Sequence, residues 1–115
     1  MTTNRPWGFY EVLSGHDNAG YKVKKITVLP GNRLSLQSHN LRKEQWFCVK
    51  GKGQAQVDNN FLELSVGKQV TIEVKQKHRL INNSDDVLEI IEIQFGDYLG
   101  EDDIIRYEDD YSRVL

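Results

Sequence analysis

Gly31-Asn32-Arg33-Leu34-Ser35-Leu36-Gln37-Ser38-His39-Asn40-Leu41-Arg42-Lys43-Glu44-Gln45-Trp46 holds most of what this chain discloses about itself. A β-type run, Arg33–His39, leads through a polar connection to a second, Gln45–Lys50. Strand side chains repeat every two residues, so Gln37 and His39 share a face. Glu44 opens the second run and returns to that face, with Trp46 and Cys48 at the same parity. Leu34 and Leu36 then point the other way. Outward leucines need cover from the N-terminal strand or a second subunit, which predicts a homodimer.

Outward from this stretch the same grammar continues. Trp7–Leu13, Tyr21–Leu29, Gln54–Val57, Phe61–Val66, Gln69–Val74, Arg79–Ile81 and Val87–Phe95 are short runs rich in aromatic and β-branched residues. Turn residues separate them: Ser14–Gly20, Pro30-Gly31-Asn32, Gly51-Lys52-Gly53, Asp58-Asn59-Asn60 and Asn82–Asp86. Glu101–Tyr111 is the one helical candidate, with Ile104, Tyr107 and Tyr111 at i, i+3 and i+7. About nine or ten short strands with so little helix predict an all-β fold. At 115 residues it closes most economically as one small jelly roll of antiparallel strands.

Composition removes whole classes of function. Fifteen basic and seventeen acidic side chains leave a net charge of −2, so neither a nucleic-acid partner nor an anionic membrane surface is expected. No run approaches the roughly 18 apolar residues of a membrane span, and the N-terminus lacks the apolar stretch of a secretory signal. One cysteine, Cys48, offers neither an internal disulfide nor a Cys-rich zinc site. A reducing compartment, most simply the cytoplasm, is the expectation.

Gln37, His39 and Glu44 gain a fourth companion in His78, which lies between a strand and a turn. An amide oxygen, two imidazoles and a carboxylate inside a barrel make a divalent-metal donor set. His16 sits in a polar loop with no partner at useful spacing and reads as solvent-exposed. Lys22 and Lys24 share a strand face, either a solvated stripe or a phosphate-facing pair.

Gly31-x5-Gln37-x-His39-x4-Glu44-x6-Gly51 is similar to the first cupin motif, with Gln at the first histidine's place. Gly67-x5-Glu73-x-Lys75-x2-His78-x3-Asn82 resembles the second. More narrowly, the chain resembles the C-terminal cupin domain of type II mannose-6-phosphate isomerases, usually fused to a mannose-1-phosphate guanylyltransferase. That match runs as one domain from Arg5 to Arg113. It includes Arg5-Pro6-Trp7-Gly8, Lys22, Lys24, His78-Arg79-Leu80 and Tyr98-Leu99-Gly100-Glu101-Asp102-Asp103-Ile104 with Arg106.

The resemblance implies a zinc-dependent isomerase interconverting mannose 6-phosphate and fructose 6-phosphate. Gln37, His39, Glu44 and His78 would hold the metal, and Arg42 and Arg113 would contact the sugar phosphate. The residues suit that chemistry. With Glu44 as the only charged ligand, a zinc site keeps a formal positive charge and favours a developing oxyanion, and a guanidinium fork suits phosphate. Three departures stand out: Glu73 and Lys75 replace the second motif's usual Pro and Gly, Gln45 replaces the histidine after the motif Glu, and Ser112 replaces a Gly. The first implies a reshaped loop into His78. The competing reading is a non-catalytic cupin that binds metal and holds or senses a sugar phosphate.

Overall fold

The computed structural model describes residues 2–111, so Arg113 and Ser112 lie outside the described residues. Among the described residues there is no helix. The strands in chain order are β1 Thr2–Arg5, β2 Gly8–Gly15, β3 Tyr21–Val28, β4 Leu36–Ser38, β5 Arg42–Lys50, β6 Gly53–Val57, β7 Asn60–Leu64, β8 Gln69–Ile72, β9 His78–Ile81, β10 Leu88–Gly96 and β11 Ile105–Glu108. They form two antiparallel sheets, ordered β1-β2-β3-β10-β5-β8 and β11-β4-β9-β6-β7. The all-β jelly roll expected from the strand count is the fold.

Register in the larger sheet explains where a polar site can form. β10 lies between β3 and β5 and aligns three buried rows across the inner face. Ile26, Ile90 and Cys48 form the first; Lys24, Glu92 and Trp46 the second; Lys22, Gln94 and Glu44 the third. All three strands obey the two-residue period. Each changes from apolar to polar along its inward positions, so the barrel has a dry end and a charged end. Val28, Leu80, Leu88 and Ile90 close the dry end with no measurable exposure. Each such side chain contributes about 1.5–3 kcal/mol by leaving water, and these terms offset the cost of charges buried at the other end. From the smaller sheet, the row Gln37–His78–Val57 faces the same interior.

Two expectations require correction. Residues 101–111 are not helical: β11 pairs with β4, placing Ile105 opposite Ser38 and Arg106 opposite Gln37. Ile104, Tyr107 and Tyr111 fit a helical period, but the strand satisfies the backbone groups at the edge of β4, which a helix would leave unpaired. Tyr107 bonds Ser38 through its hydroxyl (2.8 Å), and Tyr111 donates to Asn32 Oδ1 (2.8 Å).

Leu34 and Leu36 do not form an outward apolar face. Arg33–Ser35 leaves regular strand geometry, holding only the bridge Arg33–Ile81, so parity breaks and Leu34 packs on the core. Leu36 is 7% exposed within the single chain. The argument for a homodimer through these leucines lapses with them.

In the loop into His78, the position of the motif's glycine is left-handed. Lys75 has φ +69°, a left-handed conformation, and its N–H donates to the His39 carbonyl at 2.8 Å.

Candidate metal centre

β5 delivers the centre's acidic member. Its buried positions are Arg42, Glu44, Trp46 and Cys48, and Glu44 is 1% exposed. His78 starts β9 on the facing sheet, and His39 follows directly after β4. One donor atom from each of His39, Glu44 and His78 lies within 4.8 Å of the others. His39 Nε2 is 3.2 Å from Glu44 Oε2, and His78 Nε2 is 3.7 Å from Glu44 Oε1. The imidazole centroids are 4.9 Å apart, and Trp46 meets the His78 ring edge-on at 5.6 Å.

Hydrogen bonds settle which nitrogen each histidine presents. His39 Nδ1 lies 2.6 Å from the Asp103 carbonyl, and His78 Nδ1 lies 2.8 Å from the Gln76 carbonyl. A carbonyl only accepts, so both Nδ1 atoms carry the proton and both Nε2 lone pairs face the cavity. Burial lowers the His78 pKa despite the nearby Glu44 carboxylate, which favours the neutral form a metal requires. Burial alone would raise the Glu44 carboxyl; His78, His39 and Arg42 outweigh it and hold Glu44 well below the usual carboxylate range. An ionised carboxylate beside two imidazoles, each with its Nδ1 proton held by a carbonyl and its Nε2 turned inward, fits a divalent cation that takes the place of the histidine protons. Gln37 lines the same cavity opposite His78 in register, with its amide nitrogen turned to Ser35 Oγ (3.2 Å).

Arg42 occupies the position of a counter-cation. Its Nε donates to Glu44 Oε2 (2.9 Å) and its outer nitrogen to His39 Nε2 (3.1 Å). These are lone pairs a metal would use, so ion and guanidinium compete for them. Arg42 also approaches Glu101 Oε2 at 3.5 Å.

Sequence reasoning missed the acidic network behind this cluster. The Trp46 indole N–H serves both Glu44 Oε1 (2.9 Å) and Glu92 Oε2 (3.2 Å), and Gln94 donates to Glu92. Burial and the Glu44 charge push the Glu92 carboxyl up to about 8. The signal was present: inward positions of the Val87–Phe95 run change from Ile90 to Glu92 and Gln94. Lys22 and Lys24 are buried and do not form a solvated stripe. Lys22 Nζ is held by Asp17 (2.6 Å) and the Leu99 carbonyl (2.9 Å); Lys24 Nζ by Glu101 (2.7 Å), 4.1 Å above the Tyr10 ring. Gln45 points to the outer face, where its Oε1 accepts from Thr71 (2.6 Å), so the missing histidine does not touch the cluster. His16 is exposed, as expected, and its Nδ1 accepts from the Asn18 N–H.

The cavity is about 90 Å³, and its lining contrasts with the acidic chain as a whole. Arg5, Lys24, Arg42, Arg79 and Arg106 face Glu44, Glu92 and Glu101. Five cations against three carboxylates, with the Glu92 carboxyl raised by burial and by Glu44, leave the lining suited to an anion.

A jelly roll with two histidines and a glutamate converging at the charged end of its barrel defines a cupin. Solved structures agree at the level of fold. A cupin-2 domain from Rhodospirillum rubrum superposes with a TM-score of 0.71 at 20% identity, covering 83% of this chain and 67% of that one. A Lactobacillus farciminis oxalate decarboxylase superposes at 0.76 and 18% identity, covering 92% and 33%.

Within that class the chain belongs to the family described as mannose-6-phosphate isomerase C-terminal, which matches residues 1–109. It is 47% identical over 111 residues to the alginate biosynthesis protein AlgA of Pseudomonas aeruginosa, covering 96% of this chain and 22% of that protein. It is 43% identical to the xanthan biosynthesis protein XanB of Xanthomonas campestris, with 96% and 23% covered. To a mannose-1-phosphate guanylyltransferase of Escherichia coli it is 39% identical, again with 96% and 23% covered. The chain thus spans less than a quarter of the length of these curated relatives.

Proposed function

We propose that this chain is a metal-dependent aldose–ketose isomerase acting on a hexose 6-phosphate, with mannose 6-phosphate and fructose 6-phosphate as the exchanging pair and zinc as the ion. The observation that carries the reading is the His39–Glu44–His78 cluster inside a cavity richer in cations than in ionised carboxylates. Family membership supports the choice of substrate class.

Aldose–ketose exchange moves a proton between neighbouring carbons beside a carbonyl. When bound by His39, Glu44, His78 and the Gln37 carbonyl oxygen, the ion supplies positive charge to the substrate oxygens as that proton leaves. Arg42 and Lys24 hold the phosphate, both buried where water competes poorly for the anion. Arg106, beside Gln37 in register, extends the cationic wall. Trp46 presents its indole N–H to Glu44 and fixes that carboxylate's orientation.

The test compares metal-loaded with chelator-treated protein on mannose 6-phosphate, using a coupled assay for fructose 6-phosphate and deuterium exchange at C2. Metal-dependent conversion with exchange is the expected result. Sugar-phosphate binding by loaded protein without exchange or conversion would overturn the catalytic assignment in favour of a sensor.

A further inference from the structure

His39 is the member of the cluster that no strand holds. It lies just beyond β4 and precedes the Asn40-Leu41 connection to β5, so no sheet ladder sets the direction of its ring. Asp103, 64 residues later, takes over that task. Its carbonyl accepts from His39 Nδ1 at 2.6 Å. Its carboxylate straddles the following loop, Oδ1 accepting from the Asn40 N–H and Oδ2 from the Leu41 N–H, each at 2.9 Å. His78 contrasts with this arrangement, because its Nδ1 partner is the carbonyl of Gln76, two residues away.

We propose that Asp103 is a positioning residue for the metal centre, its carboxylate clamping residues 40 and 41 so that its carbonyl keeps the His39 Nε2 lone pair turned into the cavity. This rests on the metal-dependent reading above and names the residue that prepares one of its ligands. The carboxylate does not line the cavity; it acts through the loop. Two consequences follow from the geometry. Without the clamp, the Asp103 carbonyl and the His39 ring separate, and His39 samples the tautomer that places a proton on Nε2, where no metal binds. By linkage, metal binding in turn steadies the Asn40 and Leu41 amides.

The rest of the segment is anchored without Asp103. Leu99 is fully buried, its N–H bonds the Asp17 carbonyl at 2.8 Å, its carbonyl accepts from Lys22, and Glu101 binds Lys24. Asp103→Ala therefore removes the clamp while leaving the seat of the chain. Asp103→Asn keeps one acceptor oxygen and serves as the milder variant.

Two measurements on the full chain test the proposal. Zinc affinity, from competition with a chromophoric chelator, should fall about 10–100-fold in Asp103→Ala and by less in Asp103→Asn. Two-bond proton–nitrogen NMR of the metal-free protein should show the Nδ1–H form of His39 in the wild type and a tautomer mixture in Asp103→Ala, with His78 unchanged. Wild-type zinc affinity and an unchanged His39 tautomer in Asp103→Ala would overturn it. Should Asp103→Ala fail to fold, the same two outcomes in Asp103→Asn decide. Should the wild type bind no zinc, the isomerase reading falls, and the metal-free His39 spectrum still decides the role of Asp103.

Discussion

Glu92→Gln should make the metal-free protein more stable at pH 8 while changing it little at pH 5. Glu92 is 5% exposed, lies against the ionised Glu44, and has its carboxyl raised from 4.5 to about 8 by burial and by that neighbouring charge. In the unfolded chain the same group titrates near 4.5. Below that value both states hold the proton and the neutral group's contribution is fully present. Between about 4.5 and about 8 the unfolded chain has released a proton that the fold retains, so stability falls as pH rises, by about 1.4 kcal/mol per unit at most. Across the whole window the loss is bounded by about 5 kcal/mol, and the effective dielectric of a protein interior, higher than that of dry protein, reduces it to roughly half.

Glutamine reproduces the shape of the protonated acid. Its oxygen can accept from Trp46, and its amide can donate to Glu44, as the acid's hydroxyl does. It has no proton to lose. Urea unfolding in chelator at pH 5, 6.5 and 8 would therefore show two curves that agree within about 1 kcal/mol at the acid end and separate by about 2–3 kcal/mol at pH 8, the variant being the more stable. Parallel pH dependences, or a variant less stable at pH 8, would refute the assignment of a proton to buried Glu92.

His39→Ala and His78→Ala should each abolish stoichiometric zinc binding measured by metal analysis, while His16→Ala leaves it intact; equal loss in all three would remove the proposed centre. Zinc affinity should decline at acid pH as proton competes with metal at the histidines, and the lowered His78 pKa places its share of that decline below the ordinary histidine value of 6.5, as titration calorimetry across pH would show. Arg42→Gln should act with opposite signs on two ligands: zinc binds about tenfold more tightly once the competing guanidinium leaves His39 and Glu44, while inorganic phosphate binds more weakly. Lys75→Gly should raise stability by about 1 kcal/mol by relieving the left-handed strain at that position, read as an increase in thermal midpoint.

Much of the architecture follows from local rules. The two-residue alternation of β5 puts Glu44, Trp46 and Cys48 on one face, and turn residues mark most strand boundaries. Gln37, His39, Glu44 and His78 can be picked out from residue type and motif spacing, since strand parity is a local property of the backbone. Parity fails where the chain leaves strand geometry, as it does at Leu34, and period-counting fails at residues 101–111. There Ile104, Tyr107 and Tyr111 match a helix, yet an open edge on β4 recruits a strand. The rest belongs to tertiary structure because it depends on partners far apart in the chain. Trp46 and Glu92 meet across 46 residues, His39 and Asp103 across 64, Lys24 and Glu101 across 77. Whether Glu92 keeps a proton, which histidine nitrogen faces the cavity, and whether Lys24 is solvated or buried against a carboxylate are all set by desolvation and by charges only a few ångströms away. Those quantities exist only once the two sheets have closed on each other.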